Sequence, residues 1–252
     1  MAGPGRFDRY YEPIPKGGRE GQKRVFEQEV NFDSENLTLS GSVSAGSARA
    51  RHINISGSGQ VERDIAGETL DCTGSLRVGG DIRASRVKAA GSLETGGAIV
   101  SEYATFSGSC RAVNEIYAEK ELSASGSIRA RAIASSGSAV VNGMVETDTL
   151  EAADAEINGG GRIGALNCIN CVINRSMKGQ RLLRHLLGRK RQRLMIEKIE
   201  AERRADIDRC SVKEIHAGSI RVGRDCAVGK IRYSGSCEIE EGAVIGETPV
   251  KE

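Results

Sequence analysis

The amino-acid sequence predicts an all-β fold, a three-sided parallel β-helix with about 17 residues per coil, interrupted by one short helical insert. The first observation behind this is a Ser-Gly-Ser corner that returns at nearly fixed spacing. It stands at Ser40-Gly41-Ser42, Ser56-Gly57-Ser58, Thr73-Gly74-Ser75, Ala90-Gly91-Ser92, Ser107-Gly108-Ser109 and Ser125-Gly126-Ser127, then weakens to Asn142-Gly143 and Asn158-Gly159. The steps between these glycines are 16, 17, 17, 17, 18, 17 and 16 residues. The second observation is that each repeat holds three short segments whose apolar residues alternate at period two, the mark of a half-buried strand. The third is composition: aromatics make up 4%, tryptophan is absent and there are 32 glycines. A thin core of small and β-branched side chains with glycine at the bends has this balance. A unit this short buries its apolar side by stacking on its neighbours.

Taken in order, residues 1–30 read as a disordered or partly extended arm. Pro4, Pro13 and Pro15 lie there with Gly-Gly and mixed charge, a composition that does not pack. Alternation from Arg24 to Phe32 can add a strand over the first coil. Coils occupy 31–176, with the first clear inward pair at Leu37 and Leu39. In the coil from Ser75 to Gly91 the inward pairs are Leu76 and Val78, Ile82 and Ala84, and Val87 and Ala89, and Gly-Gly, Ser-Arg and Ala-Gly make the bends. Outward positions carry Arg77, Glu94, Arg111, Arg129, Glu146 and Arg162, and later Arg221 and Glu238. Opposite charges stacked one coil apart are worth a few tenths of a kcal/mol each, about 0.2–1.

Seven cysteines, an odd number, favour a reducing compartment over a disulfide framework. Cys168 and Cys171 form a CxxC that invites a metal or redox reading. Yet Leu166, Cys168, Cys171 and Ile173 follow the inward set Leu150, Ala152, Ala155 and Ile157 by 16 residues. Cys72, Cys110, Cys226 and Cys237 also fall on inward positions, where a free thiol packs as a small hydrophobe.

The repeat breaks at 177–192. From Gly159 to Gly218 is 59 residues, three coils plus eight or two plus twenty-five. Leu182, Leu183, Leu186 and Leu187 form an apolar stripe if helical, flanked by Arg181 and Arg184. Lys178 to Arg193 holds seven Lys and Arg and no acid. Three readings compete: a helix docked on the solenoid or on a neighbouring copy, an interfacial anchor drawn to anionic lipid, and a nucleic-acid contact. The last is disfavoured because no aromatic interleaves the basic residues to stack on bases. Coils resume over 193–247, with Ala217-Gly218-Ser219 and Ser234-Gly235-Ser236 taken as the returning corner, and 248–252 is a tail.

Nothing in the chain points to catalysis. The hexad repeat of left-handed β-helix transferases is absent, and His52, His185 and His216 do not converge. Asp64 and Asp81 sit one coil apart and could approach a glycosidase pair, but the following coils offer Ala98 and Glu115 and no long loop walls a cleft. No phosphate-binding or nucleophile-elbow motif occurs. No cofactor and no metal is expected. Net charge is +2, too small to imply nucleic-acid affinity, and no apolar run is long enough to span a bilayer.

The coil text GSLRVGGDIRASRVKAAGSLETGGAIVS resembles that of the bactofilins, polymer-forming bacterial cytoskeletal proteins. RLMIEKIEAERRADIDRCSVKEIHAGSIRVGRDCAVGKIRYSGSCEIEEGAVIG is similar to the C-terminal part of their longer members. The resemblance spans roughly 35–245 and implies a right-handed β-helix that polymerises end to end into nucleotide-independent filaments, often as membrane-associated scaffolds. This chain is longer than a typical bactofilin domain, is divided by the insert, and lacks the hydrophobic N-terminal peptide of some members. Leu182 to Leu187 is then the candidate anchor.

The expectation is a cytoplasmic, non-enzymatic scaffold, with the inner face of the membrane as a peripheral site. It assembles with itself through ends near Leu37, Leu39, Cys237, Ile239, Val244 and Ile245. The alternative is a monomeric or dimeric adaptor that binds a protein partner or anionic membrane through its faces and the insert.

Overall fold

A computed structural model describes residues 34–174 and 193–252. Residues 1–30 and the insert residues Arg181, Leu182, Leu183, Arg184, Leu186 and Leu187 lie outside the described residues. Within them the chain is all-β, with parallel strands stacked as a β-solenoid of about 12 turns spaced about 17 residues apart. It divides into two compact units, Met1–Glu119 and Lys120–Glu252.

In the first unit, β1 (Ser34–Ala45), β2 (Ala48–Val61), β3 (Ile65–Val78), β4 (Ile82–Thr95) and β5 (Ile99–Ala112) each follow most of one coil. Each pairs in parallel with the next, and the register reproduces the sequence period: Leu37 opposes Ile53, which opposes Leu70, then Val87, then Ala104. Burial repeats in three inward pairs per coil, as in β4, where Ile82 and Ala84, Val87 and Ala89, and Leu93 and Thr95 are all buried. Three faces per coil follow directly from this pattern.

The glycine corner is required twice over. Gly41, Gly57, Gly74, Gly91 and Gly108 are stacked neighbours, with φ between +82° and +126°. A side chain rarely adopts that region. A methyl on Gly57 would also lie 2.6 Å from the Gly41 carbonyl oxygen, and the later glycines are more crowded still. At another corner, Asp64 and Asp81 point their carboxylates along the stack. Asp64 Oδ1 accepts the Asp81 amide at 2.7 Å and Asp81 Oδ1 accepts the Ala98 amide at 2.9 Å.

The strand β6 (Glu115–Arg129) contains the boundary between the units. The second unit continues with β7 (Ala132–Ile173), β8 (Leu194–Ile207), β9 (Cys210–Val222), β10 (Ala227–Tyr233), β11 (Cys237–Ile239), β12 (Val244–Ile245) and β13 (Val250–Lys251). Coils on the two sides of 175–192 stack directly, with Gly161 opposite Leu194, Leu166 opposite Ile199 and Ile173 opposite Ile207. The extra residues therefore leave and return at one corner, immediately after Ile173.

That placement corrects the alignment of the later glycines. Ile173, Ile207, Val222 and Ile239 share one register column, and the stacked glycines Gly126, Gly143 and Gly159 of the same unit lead up to the corner just after it. Beyond Gly159 that corner holds Asn174, Arg209 and Asp225 at φ of 50°, 51° and 56°, then Gly242 at 94°. Gly218 and Gly235 instead precede Ile220 and Cys237, at the other end of the same face. They stack on each other, with the Gly235 amide donating to the Gly218 carbonyl at 2.7 Å. Counting from glycine to glycine across the insert joined two different corners. Residues 248–252, expected as a tail, place Val250 and Lys251 beside Arg232 and Tyr233 as the third face of the last coil.

Candidate functional site

Two places depart from the repeat: the last coil and the corner that carries the extra residues. The last coil is built from β11, β12 and β13, one per face. Each is hydrogen-bonded to the coil before it, through the amides of Glu240, Val244, Gly246 and Glu252 to the carbonyls of Val222, Cys226, Val228 and Tyr233, at 2.8–2.9 Å. In a parallel strand alternate backbone groups point to the opposite neighbour. Among the described residues nothing pairs with that outer edge.

Of the five exposed large apolar side chains among the described residues, three lie on this coil. Ile239 is 42% exposed, Val244 68% and Val250 50%, whereas Ile231, one coil earlier, is fully buried. Cys237 and Ile245 are half-buried. Charge is managed by pairing backwards. Glu240 meets Arg221 and Arg224, Glu247 meets Lys230 at 3.7 Å, and Glu252 meets His216 at 3.2 Å and Arg232 at 3.7 Å. These contacts hold the coil closed while its outward edge stays uncharged in its backbone.

At the first described coil Leu37 is buried and Leu39 half-buried, as are Val43 and Ala45. Of the six end residues expected from the sequence, Ile239 and Val244 are the most exposed. Val250 was missed. Its signal was the interval from Arg232, close to one coil length, but Pro249 before it disguised the strand.

At the second place, the two residues flanking the extra segment are gripped from both sides. Asn174 donates its amide to the Ile157 carbonyl, its Oδ1 accepts the Gly159 amide at 2.8 Å, and its carbonyl accepts from the Arg209 guanidinium. Arg193 donates to the carbonyls of Asp225 at 2.5 Å and Cys210 at 3.4 Å. Beside them Asp206 is buried and salt-bridged to Arg221 at 2.6 Å, which holds that guanidinium's pKa above its ordinary value. Burial pushes the Asp208 carboxyl above the usual range despite Arg209 at 3.6 Å.

The remaining sequence candidates are dispersed. Cys168 and Cys171 are buried core thiols, as are Cys72, Cys110, Cys210 and Cys226. Among the described residues no cluster of His, Cys, Asp and Glu has the geometry to hold a metal. Asp64 and Asp81 are occupied with backbone amides. His52 bonds Thr69 at 3.0 Å and His216 bonds Glu252. No family model, curated protein or solved structure matches the chain.

Proposed function

We propose that the chain is a structural protein that assembles with further copies of itself through its terminal coils, as the resemblance to bactofilins implies. The observation that carries this reading is the last coil, where an unpaired strand edge coincides with exposed Ile239, Val244 and Val250. An edge of that kind is a template for another strand, and covering three apolar side chains adds about 25 cal/mol per Å² removed from water. A solenoid is extended by stacking one more coil, so a second copy satisfies the edge with the interactions already used inside each unit. No nucleotide is needed for such assembly. The free thiols suit a reducing compartment, so the cytoplasm is the proposed location.

Negative-stain microscopy of the purified chain without nucleotide tests this. Filaments are expected, and Ile239→Lys with Val244→Lys should convert them to discrete particles with an unchanged β circular-dichroism spectrum. Discrete particles from the parent chain at high concentration would sink the reading.

A second reading, an adaptor or membrane-bound module acting through 177–192, draws on the gripped residues Asn174 and Arg193. That corner can carry extra residues without opening the coil. Liposome co-sedimentation separates the two: Leu183→Asp with Leu186→Asp reduces pelleting on anionic vesicles if the segment is an anchor, and leaves it unchanged otherwise.

A further inference from the structure

Six of the seven cysteines are buried, and two of them are stacked. Cys210 opposes Leu194 in the ladder between β8 and β9, and Cys226 immediately precedes Ala227, which opposes Ser211. The two thiols therefore occupy the same inward column on successive coils, and their sulfurs are 4.0 Å apart. Neighbouring parallel strands lie about 4.8 Å apart, inside the Cα separation of roughly 4.4–6.8 Å that a disulfide accepts. The sulfurs close from 4.0 Å to a bond of about 2.05 Å by side-chain rotation together with adjustment of the adjoining turn.

We propose that Cys210 and Cys226 are a thiol–disulfide exchange site, oxidised by a small-molecule disulfide of the glutathione class to an intrachain disulfide joining adjacent coils. Three features of the site support this. The Cys226 thiol lies directly after the exposed turn residues Arg224 and Asp225, so opening of one turn uncovers it. The two thiols share one hydrogen bond in which either sulfur can donate, and Cys226 Sγ also reaches the Ile207 carbonyl at 3.6 Å. The Cys210 thiol and the amides of Cys210 and Arg209 lower the Cys226 pKa, while Cys210 is pushed up. Because Cys226 adjoins the exposed turn, it is the sulfur that a small disulfide reaches first, and Cys210 is the resolving one. Third, no other cysteine among the described residues of the second unit shares the column. Cys168 and Cys171 are neighbours along one coil, opposite Ala201 and Ala205, and Cys237 opposes Ile220.

The exchange balances in two steps. The Cys226 thiolate attacks one sulfur of the small disulfide, forming a mixed disulfide and releasing one small thiolate. The Cys210 sulfur then attacks the Cys226 sulfur, the second small thiolate leaves, and the protons of both protein thiols end on the two small thiols. The protein loses two electrons and the oxidant gains them. In a reducing compartment the bond is transient, formed under oxidative load and reversed by excess small thiol.

The test uses the full chain equilibrated with glutathione disulfide, quenched by alkylation under denaturing conditions and cut after Lys and Arg. Cleavage after Arg209, Lys213, Arg224 and Lys230 separates the peptide 210–213 from 225–230. The expected product is a linked pair about 2 Da below the sum of its parts, lost on reduction, with the other cysteines alkylated. Cys226→Ser should abolish the link, and Cys210→Ser should stop the reaction at a glutathione adduct on Cys226. Circular dichroism identifies a variant that fails to fold. For such a variant the parent chain still decides, because alkylation of both Cys210 and Cys226 after oxidation overturns the proposal. A link between Cys168 and Cys171 without one between Cys210 and Cys226 overturns it as well.

Discussion

The corner that follows Leu39, Ile55, Cys72 and Ala89 in the first unit and the corner that follows Ile173, Ile207 and Val222 in the second make the same bend by different means. In the first, glycine supplies the positive φ and the empty space that the stacked carbonyl needs. In the second, Asn174, Arg209 and Asp225 adopt φ near 50°, a region costly for ordinary residues. The cost is offset by Arg209 and Arg193, whose guanidiniums bind backbone carbonyls at the bend. A glycine corner is defined by the absence of atoms and repeats without variation. A side-chain-braced corner is defined by added bonds, and it is the one that accommodates extra chain.

The largest effect should come from breaking the glycine version. Gly91→Val introduces a β-branched side chain at φ +126° against the Gly74 carbonyl, and strain plus overpacking should cost about 4 kcal/mol. A urea midpoint unchanged from the parent would show that the stacked carbonyl can yield. Next comes the brace. Arg209→Ala removes the donor to the Asn174 carbonyl and the ion pair to Asp208, a loss of about 2 kcal/mol. A cost below about 0.5 kcal/mol would mean that the bend is held without it.

Removing residues 175–192 and joining Asn174 to Arg193 through two glycines sharpens the comparison further. Since Gly161 already stands opposite Leu194, the excised chain should keep its fold, with an unfolding free energy within about 1 kcal/mol of the parent. Unfolding on excision would show that the segment is part of the coil. Asp225→Gly reverses the logic, placing glycine where φ is 56°, and should stabilise by about 0.5 kcal/mol. The smallest effect is on the outward ladder. Arg77, Glu94 and Arg111 form exposed pairs at 3.1 and 3.8 Å, so Glu94→Gln should cost under about 1 kcal/mol and less in high salt.

Much of the architecture was legible because strand alternation is a local property. Leu76, Val78, Ile82, Val87 and Cys110 were read as inward from period two and are all buried. The pairing of Arg77 with Glu94 followed from the same count. The end residues were legible only as far as the coil length stayed constant. Ile239 and Val244 were found, whereas Val250 was assigned to a tail because nothing local distinguishes a strand completing a coil from one leaving it.

The sequence by itself determined the period, the three faces and which side chains enter the core, since these depend on neighbours a few bonds away. The tertiary structure decided which corner each bend occupies, and with it that Gly218 and Gly235 lie apart from the row of Gly126, Gly143 and Gly159. It also decided that Asn174, Arg209 and Asp225 take the corner beyond Gly159, and that Cys210 meets Cys226. Chain distance measures spatial register only while every coil has one length. After 175–192 that rule lapses, and the register is set instead by which apolar columns and backbone hydrogen bonds can be satisfied together.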